Sequence, residues 1–200
     1  MKLKRWEIAL MIAVFAVFVC GFGIKREAAE LSKKLVRLHV VANSDSEEDQ
    51  ALKLRVRDAV LTCLRPRLAN ASDAAQARQI LSESLPDIKS AAEAETARSG
   101  VIQPVAVTLC TETFPTRDYD TFSLPAGQYL SLRVRLGEAK GHNWWCVVFP
   151  PICDAGTIDD DTAAAIGLTG EETKLITQNG TGYVIKFRIM ELLGEFLNLF

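Results

Sequence analysis

The spacing of the apolar residues changes along this 200-residue chain, and that change limits the fold the chain can adopt. Between residues 47 and 100 the apolar residues recur at helical spacing, whereas in the strand-like segments between Val101 and Phe149 they recur at every second position. Strands that follow one another with short links favour antiparallel pairing. The sequence therefore predicts an α+β fold in which a mostly antiparallel sheet carries its helices on one face.

A predicted strand and a predicted helix begin the domain. Residues 35–41 are apolar and rich in β-branched side chains, which is typical of a strand. A helix is predicted over residues 47–64, because serines and acids precede a run with helical apolar spacing. Pro66 is expected to end or kink this helix, because proline removes a backbone donor and clashes with the preceding turn.

A second helix and three further strands complete the pattern. The helix is expected to start at a cap formed by Ser72 or Asp73, to break near Pro86 and to end at Gly100. Two helices that follow one strand can cover one face of a sheet. The three strands are predicted around residues 105–109, 129–136 and 145–149.

The N-terminus predicts export or membrane attachment. Three basic residues precede an apolar run over residues 8–24, which is 17 residues long and reaches the lower end of the spanning range. A basic start followed by such a run is typical of a signal peptide or a membrane anchor. The predicted organisation is residues 1–24 as signal peptide or anchor, residues 25–34 as linker and residues 35–200 as a single domain.

Composition and motifs exclude several classes of function. A net charge of -2 and an isoelectric point near 5.8 argue against a nucleic-acid binder. Two histidines and no Cys-x-x-Cys give no metal-ligand pattern. The chain lacks a Gly-x-Ser-x-Gly elbow, a His-Glu-x-x-His motif and a phosphate loop. We therefore predict no cofactor, no small-molecule substrate and a binding role in place of catalysis.

Four of the five cysteines fall in the predicted domain, and an even number in an exported chain allows disulfides. Cys146 and Cys153 could pair if the two prolines between them reverse the chain. The alternative is that all four cysteines are small buried apolar residues. The sequence leaves both possibilities open.

Two segments supply candidate partner-binding residues. Residues 43–45 join a predicted strand to a predicted helix, where free backbone N–H groups can bind an anion, although simple helix capping explains them better. Residues 117–119 lie in a turn-like stretch, and tandem tryptophans occupy positions 144 and 145; aromatic and arginine side chains often anchor interfaces. The candidates are Asn43, Ser44, Asp45, Arg117, Asp118, Tyr119 and Trp144.

Several segments together resemble one family. They are residues 37–50 (RLHVVANSDSEEDQ), Lys53, and residues 56–60 (VRDAV), 114–116 (FPT), 124–129 (LPAGQY) and 143–153 (NWWCVVFPPIC). In this order they resemble the stage II sporulation protein R family of endospore-forming bacteria. The resemblance covers residues 35–153 and is looser after Asp154.

The resemblance implies a signalling protein that is made in the forespore and exported into the space between the two sporulation membranes. Its implied partner is a membrane-embedded aspartic-type protease of the mother cell, which removes the pro-sequence of sigma factor E. An alternative is an envelope hydrolase that uses Cys146 as nucleophile and His142 as base. A third interpretation is a membrane-anchored scaffold that retains residues 1–24.

Overall fold

The computed structural model describes residues 28–119 and 122–151, together with residues 4, 6, 8, 11 and 26. The predicted signal or anchor therefore lies almost wholly outside the described residues, as does the chain after residue 151. Within the described part of the chain, none of the helices combines the length and the apolar character that a bilayer crossing requires.

The described elements alternate between one strand, two long helices and a set of strands. In chain order they are β1 (Val36–Val41), α1 (Glu47–Leu68), α2 (Ala74–Arg98), β2 (Val105–Phe114), β3 (Arg117–Asp118), β4 (Ser123–Leu124), β5 (Gly127–Leu136) and β6 (Asn143–Phe149). Residues 28–34, which precede β1, are also helical, and Leu31 within them is fully buried.

The α+β class is confirmed, but the sheet is mixed. Its order is β2-β5-β1-β6, and a separate ribbon pairs β3 with β4. β1 runs parallel to β5, whereas the β1–β6 and β2–β5 pairs are antiparallel. The expectation of pairing between consecutive strands fails for β5 and β6, because β1 lies between them. The link between β5 and β6 therefore passes over the end of β1. Strands that are consecutive in sequence are usually neighbours in the sheet, and these two are not.

Both long helices continue through their prolines. α1 extends to Leu68 past Pro66, and α2 is uninterrupted at Pro86. The predicted break near Pro86 is therefore wrong. A proline inside a helix costs about 3 kcal/mol. The buried side chains of Leu81 and Ile88 lie on either side of Pro86, and burial of each stabilises the continuous helix by about 1.5–3 kcal/mol.

Each long helix begins at a side-chain cap. Ser46 precedes α1, and its hydroxyl accepts a hydrogen bond from the backbone N–H of Asp49 at 3.2 Å. Asp73 precedes α2, and its carboxylate accepts from the backbone N–H of Gln76 at 2.8 Å. The capping interpretation of the first serine-rich segment is confirmed, and of the two proposed caps for α2 the structure uses Asp73.

The two faces of the sheet have different surroundings. The inner face packs against α1 and α2, and Leu38, Leu132 and Cys146 from three neighbouring strands meet helical leucines and valines in one core. The opposite face, here called the outer face, carries the alternate side chains. On the outer face lie Arg37, His39, Thr108, Glu112, Phe114, Tyr129, Ser131, Arg133, Arg135, Asn143, Trp145 and Val147.

Candidate functional site

The link between β5 and β6 crosses the end of β1. The backbone N–H of Lys140 donates to the carbonyl of Asn43, and that of Gly141 donates to the carbonyl of Ala42, both at 3.0 Å. We call this place, formed by residues 42–46 and 137–142, the loop crossing. It joins two segments that lie almost a hundred positions apart in the sequence.

Asn43 and Ser44 are bonded within the loop crossing. The Asn43 Oδ1 atom accepts from the backbone N–H of Glu138 at 2.9 Å, and its Nδ2 atom donates to the Asp49 carboxylate at 2.9 Å. The Ser44 hydroxyl donates to the same carboxylate at 2.6 Å. These predicted partner-binding side chains therefore hold the first turn of α1 against the crossing link.

Asp45 fastens the other side of the loop crossing. Its Oδ1 atom accepts from the backbone N–H of His142 at 2.6 Å and also contacts the His142 Nδ1 atom. Lys53, which is 5% exposed, donates to the His142 carbonyl at 3.0 Å. Burial lowers the pKa of Lys53, and the charge of Asp45 acts in the opposite direction. The arrangement ties β6 to α1.

The Asp49 carboxylate should make stability depend on pH. Hydrogen bonds from Ser44 and Asn43 hold its pKa below the ordinary value, against a smaller raising effect of burial. A carboxyl with a depressed folded-state pKa stabilises the fold above its unfolded pKa of about 3.9, and this contribution is lost as the pH falls further.

We expect Asp49→Asn to be less stable than wild type at neutral pH, with a difference that shrinks at pH values below about 4. The free energy of unfolding from urea titrations across this pH range measures it. A stability difference that is the same at neutral and acidic pH would show that the charge of Asp49 contributes nothing.

A buried arginine, Arg37, lies on the outer face against two aromatic rings. Arg37 is 0% exposed, and its guanidinium carbon lies 4.1 Å from the ring centroid of Phe114 and 5.1 Å from that of Tyr129. Its Nη2 atom donates to the Tyr119 hydroxyl at 2.6 Å, whereas Nε and Nη1 have no hydrogen-bond partner among the described residues. Burial lowers the pKa of Arg37, and the two tyrosines oppose this effect.

A polar cluster lies beside Arg37. The His39 Nδ1 atom is 3.3 Å from both carboxylate oxygens of Glu112, and its Nε2 atom is 2.9 Å from the Asn143 Oδ1 atom. The Arg133 Nη1 atom donates to Glu112 at 2.9 Å. Burial raises the pKa of Glu112, but Ser131, His39 and Arg133 together outweigh it and keep the pKa below its ordinary value. Both ring nitrogens of His39 therefore have polar partners within this cluster.

Sequence reasoning did not select Arg37, His39 or Glu112. The available signal was the alternation within β1, where Arg37 and His39 interrupt an apolar strand at every second position. Such alternation indicates that one face of a strand is polar. It cannot indicate which residues of distant strands join that face.

The β3–β4 ribbon borders the outer face and carries three predicted candidates. Arg117 is exposed, and its guanidinium carbon lies 3.9 Å from the ring centroid of Trp145. Asp118 is also exposed and accepts from the Ser123 hydroxyl at 2.6 Å. The Tyr119 side chain points toward the sheet, where its hydroxyl accepts the hydrogen bond from Arg37. The ribbon therefore presents Arg117 and Asp118 to solvent and uses Tyr119 as an anchor.

The tandem tryptophans lie on opposite faces of the sheet. Trp144 is half-buried on the inner face, packed against the core, with the guanidinium carbon of Arg57 4.4 Å from its ring centroid. Trp145 is half-buried on the outer face. Successive residues of a strand point to opposite sides, so the pair cannot form one aromatic surface. The indole available beside Arg117 belongs to Trp145.

The cysteines do not provide a nucleophile at the predicted position. Cys146 is 5% exposed and disulfide-bonded, whereas Cys63 and Cys110 are free thiols. The partner of Cys146 lies outside the described residues, so its pairing with Cys153 stays a prediction. A disulfide sulfur is not a thiolate, and the thiolate is the nucleophilic form of cysteine. A hydrolase that uses Cys146 as nucleophile and His142 as base would require this disulfide to be reduced first.

Comparison with known proteins identifies the family. The family model described as stage II sporulation protein R matches residues 32–158. The stage II sporulation protein R of Bacillus subtilis (strain 168) is 38% identical over 118 residues, which are 59% of this chain and 53% of that protein. The chain thus spans about half the length of this curated relative. No solved structure is significantly similar to the present chain. Because the family match covers more than half of the chain, the chain belongs to the stage II sporulation protein R family, and this membership supports a role in sporulation.

Proposed function

We propose that this chain is an exported signalling protein of sporulation that binds and activates a membrane-embedded aspartic-type protease of the mother cell. Activation leads to processing of the precursor of sigma factor E. The observation that carries the proposal is the family match over residues 32–158, which includes every described strand and both long helices. The basic start and the apolar run over residues 8–24 support export into the space between the two sporulation membranes.

The disulfide at Cys146 supports a location outside the cytoplasm. Disulfides persist in oxidising compartments and are rare in the cytosol, where thiols are kept reduced. Cys146 lies in β6 and faces the core beside β1, so its oxidation state concerns the fold of the domain. An exported domain would fold where this bond can form.

The described side chains favour a binding role over catalysis. Cys146 is disulfide-bonded and therefore offers no free thiol. Asn43, Ser44 and Asp45 bond within the loop crossing. What this part of the chain offers to a partner is a folded surface, and activation by contact needs no reaction on the ligand itself.

The test reconstitutes processing in cells that do not sporulate. The full chain, the membrane protease and the sigma factor E precursor are produced together, and the cleaved product is measured by immunoblot. We expect cleavage with the full chain and co-purification of the chain with the protease. A matched control deletes residues 1–24, which should leave the domain in the cytosol and abolish cleavage. Cleavage that is independent of the chain, or unchanged by the deletion, would contradict the proposal.

A further inference from the structure

The outer face of the sheet is open at one end. Near the carboxyl ends of β1 and β5, the exposed residues include Thr108, Arg135 and Asn143. At the other end, which we call the closed end, Phe114 and Tyr129 are buried. The helices α1 and α2 lie on the inner face and do not cover this surface. The open end therefore presents strand side chains directly to solvent.

This surface is positively charged although the chain as a whole is acidic. Among the residues that the structure describes, the outer face and the bordering ribbon carry four arginines (Arg37, Arg117, Arg133 and Arg135) and two carboxylates (Glu112 and Asp118), which is 4 − 2 = +2, whereas the whole chain has a net charge of -2. Arg133 pairs with Glu112, whereas Arg117 and Arg135 form no ion pair with a described residue. Local potential, and not net charge, governs which charged partners approach a surface.

The buried charge of Arg37 adds to the positive potential of this surface. Its guanidinium is fully buried against aromatic rings and meets no described carboxylate. A charge in a low-dielectric interior is screened less than one in water, so its field extends further toward the surface. The closed end of the outer face therefore reinforces the two exposed arginines instead of neutralising them.

We propose that the outer face binds an acidic polypeptide segment of the partner, whose carboxylates pair with Arg117, which lies beside Trp145, and with Arg135 at the open end. This inference rests on the proposed function, because it takes the membrane protease as the partner. The guanidinium group forms paired hydrogen bonds with a carboxylate, and arginine over an aromatic ring is typical of interface anchors.

The chemistry favours a polypeptide over a lipid surface. Surfaces that bind membranes combine basic residues with large apolar side chains that enter the bilayer. The large exposed apolar residues of the described chain are Trp6, Ile8, Met11, Leu54 and Ile102, and none of them lies on the outer face.

The test reverses charge on this surface and, as a control, on α2. The surface variant combines Arg117→Glu with Arg135→Glu, and the matched control combines Arg78→Glu with Lys89→Glu, both exposed on α2. Each pair changes the net charge equally. Binding to the detergent-solubilised protease is measured at two salt concentrations, and thermal melting checks the fold. If the double variant melts at a lower temperature than wild type, the single variant Arg135→Glu is used in its place.

We expect the surface variant to bind the protease at least about tenfold more weakly, with the largest loss at low salt, and the control to bind as wild type does. Equal binding by all variants, or equal loss in both, would overturn the inference while the proposed function stands. If the wild-type chain did not bind the protease, the proposed function itself would be contradicted.

The surface can also be tested without the protease. A poly-glutamate peptide, matched by poly-glutamine, is titrated against the full chain, and phosphatidylglycerol vesicles provide the lipid comparison. We expect the full chain to bind poly-glutamate but neither poly-glutamine nor the vesicles. The surface variant should lose binding to poly-glutamate. Binding to the vesicles and not to the peptide would overturn the choice of a polypeptide partner.

Discussion

Gly141→Ala is expected to lower the free energy of unfolding by about 3 kcal/mol, because the loop crossing leaves no room for a side chain there. A Cβ atom at this position would lie 2.1 Å from the Ser44 carbonyl oxygen and 3.0 Å from the Ala42 Cβ. The obstructing oxygen belongs to the backbone, so relief requires the two chains to separate. Separation would weaken the hydrogen bonds from Lys140 and Gly141 to the end of β1.

Gly127→Ala is the matched control for this prediction. Its Cβ would meet the Tyr129 side chain at 3.6 Å, an ordinary contact, and its backbone needs no left-handed conformation. We expect a change below about 1 kcal/mol. Urea denaturation of both purified proteins measures the difference. Equal stability of the two variants would show that the loop crossing has room for a side chain at position 141.

Arg37→Ala is expected to cost about 3 kcal/mol, whereas Arg37→Met should remain within about 1 kcal/mol of wild type. Alanine removes most of a fully buried side chain and leaves a cavity between Phe114 and Tyr129. Methionine fills a similar volume without burying a charge, so the lost hydrogen bond to Tyr119 is offset by relief from desolvation.

The comparison separates packing from charge at the closed end of the outer face. Urea denaturation gives both stabilities, and exposed Arg78→Ala on α2 serves as control with an expected change below about 0.5 kcal/mol. If Arg37→Met were as unstable as Arg37→Ala, the charge itself would hold the fold, contrary to the packing argument. If both matched wild type, Arg37 would not be part of the core.

Local chemistry explains which elements could be predicted. The Ser46 cap of α1 needs only a hydroxyl three residues before the Asp49 N–H, and the structure contains that bond. The strands were visible from their period of two, and β6 ends at Phe149, directly before the two prolines. The continuous helix at Pro86 was not predictable, because burial of Leu81 and Ile88 depends on what packs against them.

The candidate site shows the same limit. Asn43, Ser44 and Asp45 were selected from their position at a helix start, but their bonds to Glu138, Asp49 and His142 depend on a distant link reaching β1. The alternation of polar and apolar residues in the strands indicated that one face of the sheet would carry polar side chains. Their assembly around Arg37 required the registers of four strands.

Residue patterns alone determined the α+β class, both helix starts and the family, since each follows from side chains that are close together in the sequence. Only the tertiary structure decided that β1 enters between β5 and β6, and with it the loop crossing at Gly141 and the burial of Arg37. Strand order depends on contacts between residues far apart in the chain, whose free energy no local spacing encodes.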